Sequence, residues 1–83
     1  MWYTDIESKI VEHGRRKERH ELNVIRTSLL QEHKEANYML SRLLNEYGDQ
    51  IDRDDKVTNL YKLFYERYTR VERLMTILNA YDK

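Results

Sequence analysis

Residues 22–47 read LNVIRTSLLQEHKEANYMLSRLLNEY and run into Gly48. Leu22, Ile25, Leu29, Ala36, Met39, Leu40, Leu43 and Tyr47 recur there at three- and four-residue steps. That spacing gathers side chains on one face of an α-helix. Leu22, Leu29, Ala36 and Leu43 stand one heptad apart, the period of a helix-packing seam. Leu30 and Leu44 widen the stripe. The pattern predicts a helix over 15–47, about 50 Å long at 1.5 Å per residue. Gly48 is placed to end it in the left-handed conformation that glycine adopts without steric cost.

Downstream, Val57, Leu60, Tyr61, Phe64, Tyr68, Val71, Leu74, Met75, Leu78 and Tyr81 form a second stripe of the same period, predicting a helix over 54–81. Asp52, Asp54 and Asp55 stand at its start, where acidic groups cap free amides and meet the positive end of the helix dipole. A connection as short as Gly48–Asp52 turns the second helix back along the first. Upstream, Thr4-Asp5-Ile6-Glu7 matches a capping box, and Tyr3, Ile6 and Ile10 follow at helical spacing. These residues predict a short helix over 5–13. Gly14 is either its C-cap or an interior glycine, and residues 12–21, which hold no apolar side chain, are either an exposed helical segment or the joint between two helices.

Composition agrees with an all-α fold. The 83 residues hold 15 Lys+Arg, 15 Asp+Glu, no Cys, no Pro and two Gly. Without cysteine there is no disulfide framework, thiolate metal site or cysteine nucleophile. So few turn formers argue against a many-stranded sandwich or barrel. No stretch approaches the ~18 apolar residues of a membrane span. The first residues lack a basic segment followed by an apolar one, so no signal peptide is read there, and a cytoplasmic setting is expected. A mean hydropathy of −0.94 leans toward disorder, but disordered chains do not keep so regular an apolar period. The expected architecture is a long antiparallel helical hairpin with a short N-terminal helix in a single domain. Two helices leave wide apolar arcs uncovered, and chains this small end near zero net stability unless something further packs on them. A homodimeric four- or six-helix bundle is the expected solution.

Several constellations bear on chemistry. His13 and His20 are seven residues apart, whereas helical chelation uses a spacing of four, so solvated histidines are the plainer reading. No Glu has His three residues after it, as di-iron bundles require. Neither a metal nor any other cofactor is expected. Glu32 and His33 fall on the apolar seam, as a polar layer, an acid–base pair, or residues held at its edge. There is no Ser/His/Asp arrangement or phosphate loop, so an enzyme is not expected.

Two binding surfaces remain. Tyr61, Tyr65, Tyr68, Leu63 and Ile77 concentrate apolar and aromatic surface on the second long helix, and Trp2 adds to it from the N-terminus. One helix cannot turn all of these into one core, and tyrosine is enriched at interface hot spots. A protein partner is the leading expectation, together with a second copy of the chain. The alternative is a nucleic acid held by Arg15, Arg16, Lys17 and Arg19 with Arg67, Arg70 and Arg73. Intervening acids, with Glu12–Arg16, Asp5–Lys9 and Glu66–Arg70 at i,i+4, account for part of that charge as a solvated face. The zero net charge hides an axial separation. Residues 13–26 carry five Lys/Arg against two Glu, while 45–56 carry five Asp/Glu against two Lys/Arg.

Overall fold

The computed structural model describes residues 2–81; the Trp2 side chain lies outside the described part, and so does the binding role considered for it. The described residues form three α-helices and no strand, so the fold is all-α. They are α1 (Trp2–Arg15), α2 (Arg19–Tyr47) and α3 (Asp55–Tyr81), with a 3₁₀ turn at Gly48–Gln50 before α3. No helix among these residues is long and apolar enough to cross a membrane.

Three local expectations are corrected. First, α1 begins at Trp2, so Thr4 sits inside the first turn and is not an N-cap. Second, the chain does not continue helically from residue 15 into α2. It breaks at Arg16–Glu18, and Lys17 carries the left-handed φ of 58°. The Glu18 amide donates to the His13 carbonyl at 3.0 Å and the Lys17 amide to the Gly14 carbonyl at 3.1 Å. This is the paired bonding of a Schellman C-cap, with lysine where glycine is usual. The His13 Nδ1 and Glu18 Oε1, 3.3 Å apart, bridge the same bend. Gly14 itself lies within the last turn of α1 and is buried. A Cβ there would stand 2.5 Å from Cγ of Tyr81, so glycine serves close packing of α1 on the end of α3. Third, Gly48 has φ −53° and leads into the 3₁₀ turn. It is not a left-handed cap.

Asp54 ends the connection by accepting the Lys56 amide at 2.9 Å, a side-chain N-cap for α3. The cross-helix contacts Arg26–Asn79, Glu32–Arg67 and His33–Glu72 show α3 running back along α2. The heptad Leu22, Leu29, Ala36 and Leu43 is buried along its whole length. Ile10 of α1 joins Leu22, Ile25 and Leu29 of α2 and Val71, Leu74 and Leu78 of α3 in one core, with Tyr3, Ile6, Met75 and Ile77 packed around it.

This core occupies one end of the molecule. At 1.5 Å per residue α1 extends about 20 Å, while α2 extends about 43 Å and α3 about 40 Å. The third helix therefore covers half of the other two. The dimensions, 49 × 20 × 16 Å, and a radius of gyration of 15.4 Å describe a rod. A compact chain of this length would have a radius near ~12 Å.

Candidate functional site

Most of the exposed large apolar side chains lie in the half beyond α1, with Val24, Leu30 and Tyr81 exposed in the other half. Leu60, Leu63, Tyr65, Leu44, Tyr47 and Tyr38 are all exposed beyond α1. No residue of α3 before Val71 is buried. Leu60, Leu63, Tyr65 and Leu44 fall on two faces, and contacts made by their neighbours identify each.

The first face continues the groove that α1 fills. On α3, Leu60, Arg67, Leu74 and Tyr81 stand one heptad apart, as do Leu63, Arg70 and Ile77. Tyr81 meets Gly14, Leu74 shares the core with Ile10, and the Arg70 guanidinium lies 5.4 Å over the Tyr3 ring. Arg67 donates to Glu32 and also reaches the Tyr3 hydroxyl. Both heptads thus face α1 until it ends. Leu60, 41% exposed, and Leu63, 61% exposed, then carry the stripe past its end. Tyr3, Leu63, Phe64, Glu66, Arg67 and Arg70 surround a concavity of about 310 Å³ at that point. Burial raises the Tyr3 phenol above its ordinary value, Arg67 and Arg70 pulling it back and Glu32 adding to the rise. Tyr3 therefore stays protonated and closes the end of the α1 groove as a neutral aromatic.

The second face lies away from α1. Glu72 and Asn79, which bridge to α2, each stand two positions from Arg70 and Tyr81, or about 200° around the helix. His33 Nε2 is 3.2 Å from Glu72 Oε1, and the His33 ring stacks on Tyr68 at 4.3 Å. Tyr68 also donates to Glu72, which raises the phenol; the bonds from His33 and then Tyr68 hold the carboxyl below its ordinary value. Tyr65 and Tyr61, one and two turns nearer the connection, stack at 6.3 Å. Leu30, 49% exposed, Leu44, 50%, and Tyr65, 55%, belong to this face by heptad position. Glu32 and His33 are both half-buried, on either side of the buried Leu29–Ala36 line, and each has a partner on α3. They sit at the seam's edge.

The structure thus divides the aromatic candidates. Tyr61, Tyr65 and Tyr68 share the face away from α1, Leu63 belongs to the α1 groove, and Ile77 is drawn against the core. It divides the cationic candidates as well. Arg15, Arg16, Lys17 and Arg19 surround the α1–α2 bend, where Arg16 pairs with Glu12 at 3.3 Å and approaches Glu18 at 4.0 Å. Arg70 and Arg73 instead line a cavity with Tyr3, Thr4 and Glu7 at the other end of α1, about 20 Å away. By its period alone Leu60 belongs to the apolar stripe of α3. The heptad it shares with Arg67, Leu74 and Tyr81 was the signal for its place in the α1 groove, but where that groove opens depends on where α1 stops. Comparisons with protein families, curated proteins and solved structures return no match to this chain.

Proposed function

We propose that the chain is a small non-catalytic interaction module or regulator, of the adaptor, inhibitor or phage-type host-modulator kind, working as a dimeric bundle of helical hairpins. Its protein partner supplies an amphipathic helix that lies in line with α1 against Leu60, Leu63 and Phe64. The observation carrying this reading is that α1, a helix, already fills half of a groove whose apolar lining continues past its end. Helix-in-groove docking places apolar anchors at helical spacing into such a stripe. The groove end also offers Tyr3, Arg67 and Arg70, residue types enriched at interface hot spots.

The test is retention of proteins from native-host extract by the immobilised chain, with Leu63→Asp and Arg15→Ala/Arg16→Ala/Arg19→Ala forms in parallel. The expected result is a protein held by the native chain and the triple-alanine form and lost by Leu63→Asp, with helicity unchanged by circular dichroism. Binding that survives Leu63→Asp rejects the groove. A nucleic acid lost with the triple-alanine form, with affinity falling steeply as salt rises, would establish the phosphate-binding alternative.

A further inference from the structure

We infer that two copies of the chain associate antiparallel through the α2/α3 face away from α1, each acidic connection lying on the basic α1–α2 bend of the other. This deepens the dimeric part of the reading above and leaves the Leu60–Leu63 groove free for a different molecule.

Three observations on the face itself point to a second copy. The first is charge. The acidic segment 45–56 and the basic segment 13–26 lie at opposite ends of a 49 Å rod. A parallel pair would set acid on acid and base on base, whereas an antiparallel pair matches each end with its opposite, twice by symmetry. The axial separation is thus self-complementary, as a two-fold interface requires.

The second is register. His33 is the midpoint of α2 and Tyr68 the midpoint of α3, and their rings stack. A two-fold axis crossing the rod at this stack relates positions equally far from it in opposite directions. Leu30 lies three residues toward the bend and Tyr65 three toward the connection. Leu30 therefore comes level with the partner subunit's Tyr65. Arg26 and the partner subunit's Tyr61, each seven residues from the stack, come level in the same way. Farther out, Arg19 comes level with the partner's acidic connection. One axis thus places Leu30 and Tyr65 near the centre and the opposite charges toward the rim, with Leu44 between them, an arrangement in keeping with the anatomy of a specific interface.

The third is area. A contact running the length of α2, about 43 Å, across the 20 Å width of the rod has a footprint of roughly 800 Å² per copy, the standard size for a specific pair. The covered side of the molecule has no face of that length, because α1 occupies half of it.

The test exchanges the charges. Arg19→Glu/Arg26→Glu makes both ends acidic, and Asp49→Lys/Asp52→Lys makes both ends basic; Asp54, the α3 cap, is untouched. Sedimentation equilibrium of the full chain is the readout, with helicity by circular dichroism as the folding control. The native chain should be a dimer whose dissociation constant rises with salt. Each double variant alone should associate about tenfold or more weakly, through like-charge contacts at both ends. An equimolar mixture of the two should recover native-like dimerisation, because only the mixed pair restores both matches. Tyr65→Ala should weaken association without affecting the groove. A monomeric native chain overturns the proposal, and so does a mixture no tighter than its separate components. The Leu63→Asp form should still dimerise. Loss of groove binding with an intact dimer, or the converse, tells failure of one proposal from failure of the other.

Discussion

The two halves of α3 are built to one pattern and end in different environments. From Val71 to Leu78 the stripe is sealed: Val71, Leu74 and Leu78 are all buried. From Asp55 to Arg70 the same period continues through Val57, Leu60, Tyr61, Phe64 and Tyr68, and none of them is buried. The two halves share helical content and an antiparallel neighbour. They differ in that α1 lies beside the 71–78 half and reaches only Arg67 and Arg70 at the end of the other. Periodicity makes a helix amphipathic, but two helices shield only the strip between them, and burial of a full arc needs a third element. The half without it leaves Leu60 and Leu63 open to solvent.

Truncation at matched positions in the two halves should give the largest effect. Leu29→Ala or Leu78→Ala removes a side chain held at 1% exposure or less and should cost about 2–5 kcal/mol, transfer and cavity effects adding. Leu60→Ala, in the groove-facing heptad of α3 and 41% exposed, should cost about 1 kcal/mol. Denaturant titration of the three variants compares them. Equal costs would mean that the connection half is packed as firmly as the other, and the contrast would fail. Hydrogen exchange sharpens the point: amides of 55–66 should exchange through local opening, and those of 71–78 only with global unfolding.

Next in size are two positions where the local backbone rule is inverted. Gly14→Ala would raise helix propensity by about 1 kcal/mol at an ordinary helical site. Here the new methyl meets Cβ, Cγ and Cδ1 of Tyr81 at 2.8, 2.5 and 2.7 Å. These atoms lie near the root of the tyrosine side chain, so relief requires α1 and α3 to part. Overpacking costs about 1–3 kcal/mol, leaving net destabilisation of about 1 kcal/mol. Lys17→Gly should act oppositely. It relieves a left-handed lysine and should stabilise by about 0.5–1 kcal/mol, the gain reduced by glycine's greater freedom in the unfolded chain. Thermal midpoints of the two variants should move in opposite directions from the native value.

These positions also show what the sequence made legible. Helical phase is local, and the heptad from Leu22 to Leu43 pointed to residues that are all buried. The joint between α1 and α2 falls within residues 12–21, but its place there is not legible, because Gly14 answers to a tertiary contact. Tyr81 lies 67 residues away, and only the fold brings it to the glycine. Once Gly14 is held inside the helix, the left-handed residue falls on Lys17, whose chemistry gives no hint of the role. The candidate surface was legible in kind but not in partition. Tyr61, Tyr65 and Leu63 were recognised as surplus apolar surface. Their division between two faces depends on which side α1 takes, and the α1-facing arginines Arg67 and Arg70 do not announce that side in composition. Glu32 and His33 were readable as seam-edge residues, but their partners Arg67 and Glu72 emerge only from the antiparallel register.

The smallest effect should come from the bridge at the midpoint of the rod, and its pH dependence has a definite sign. The Glu72 carboxyl is held below its ordinary value of 4.5, first by the bond with His33 and then by that from Tyr68. A carboxylate with a depressed folded pKa stabilises the fold fully above its unfolded pKa and loses that contribution as pH falls through the folded value. The native chain should therefore exceed Glu72→Gln in stability at neutral pH. As acid is added from the unfolded value downward the gap should narrow, and it should close once Glu72 is protonated in the folded chain. Tyr68, raised by its bond to the same carboxylate, stabilises below the ordinary tyrosine value of 10.0 and loses that contribution as pH rises through its higher folded pKa. Glu72→Gln weakens this partner and should shrink the alkaline loss as well. Denaturation midpoints across the acid and alkaline limbs measure both. A gap that stays constant through the acid limb would mean that the bridge holds no ionised carboxylate, and that the midpoint is joined by ring stacking alone.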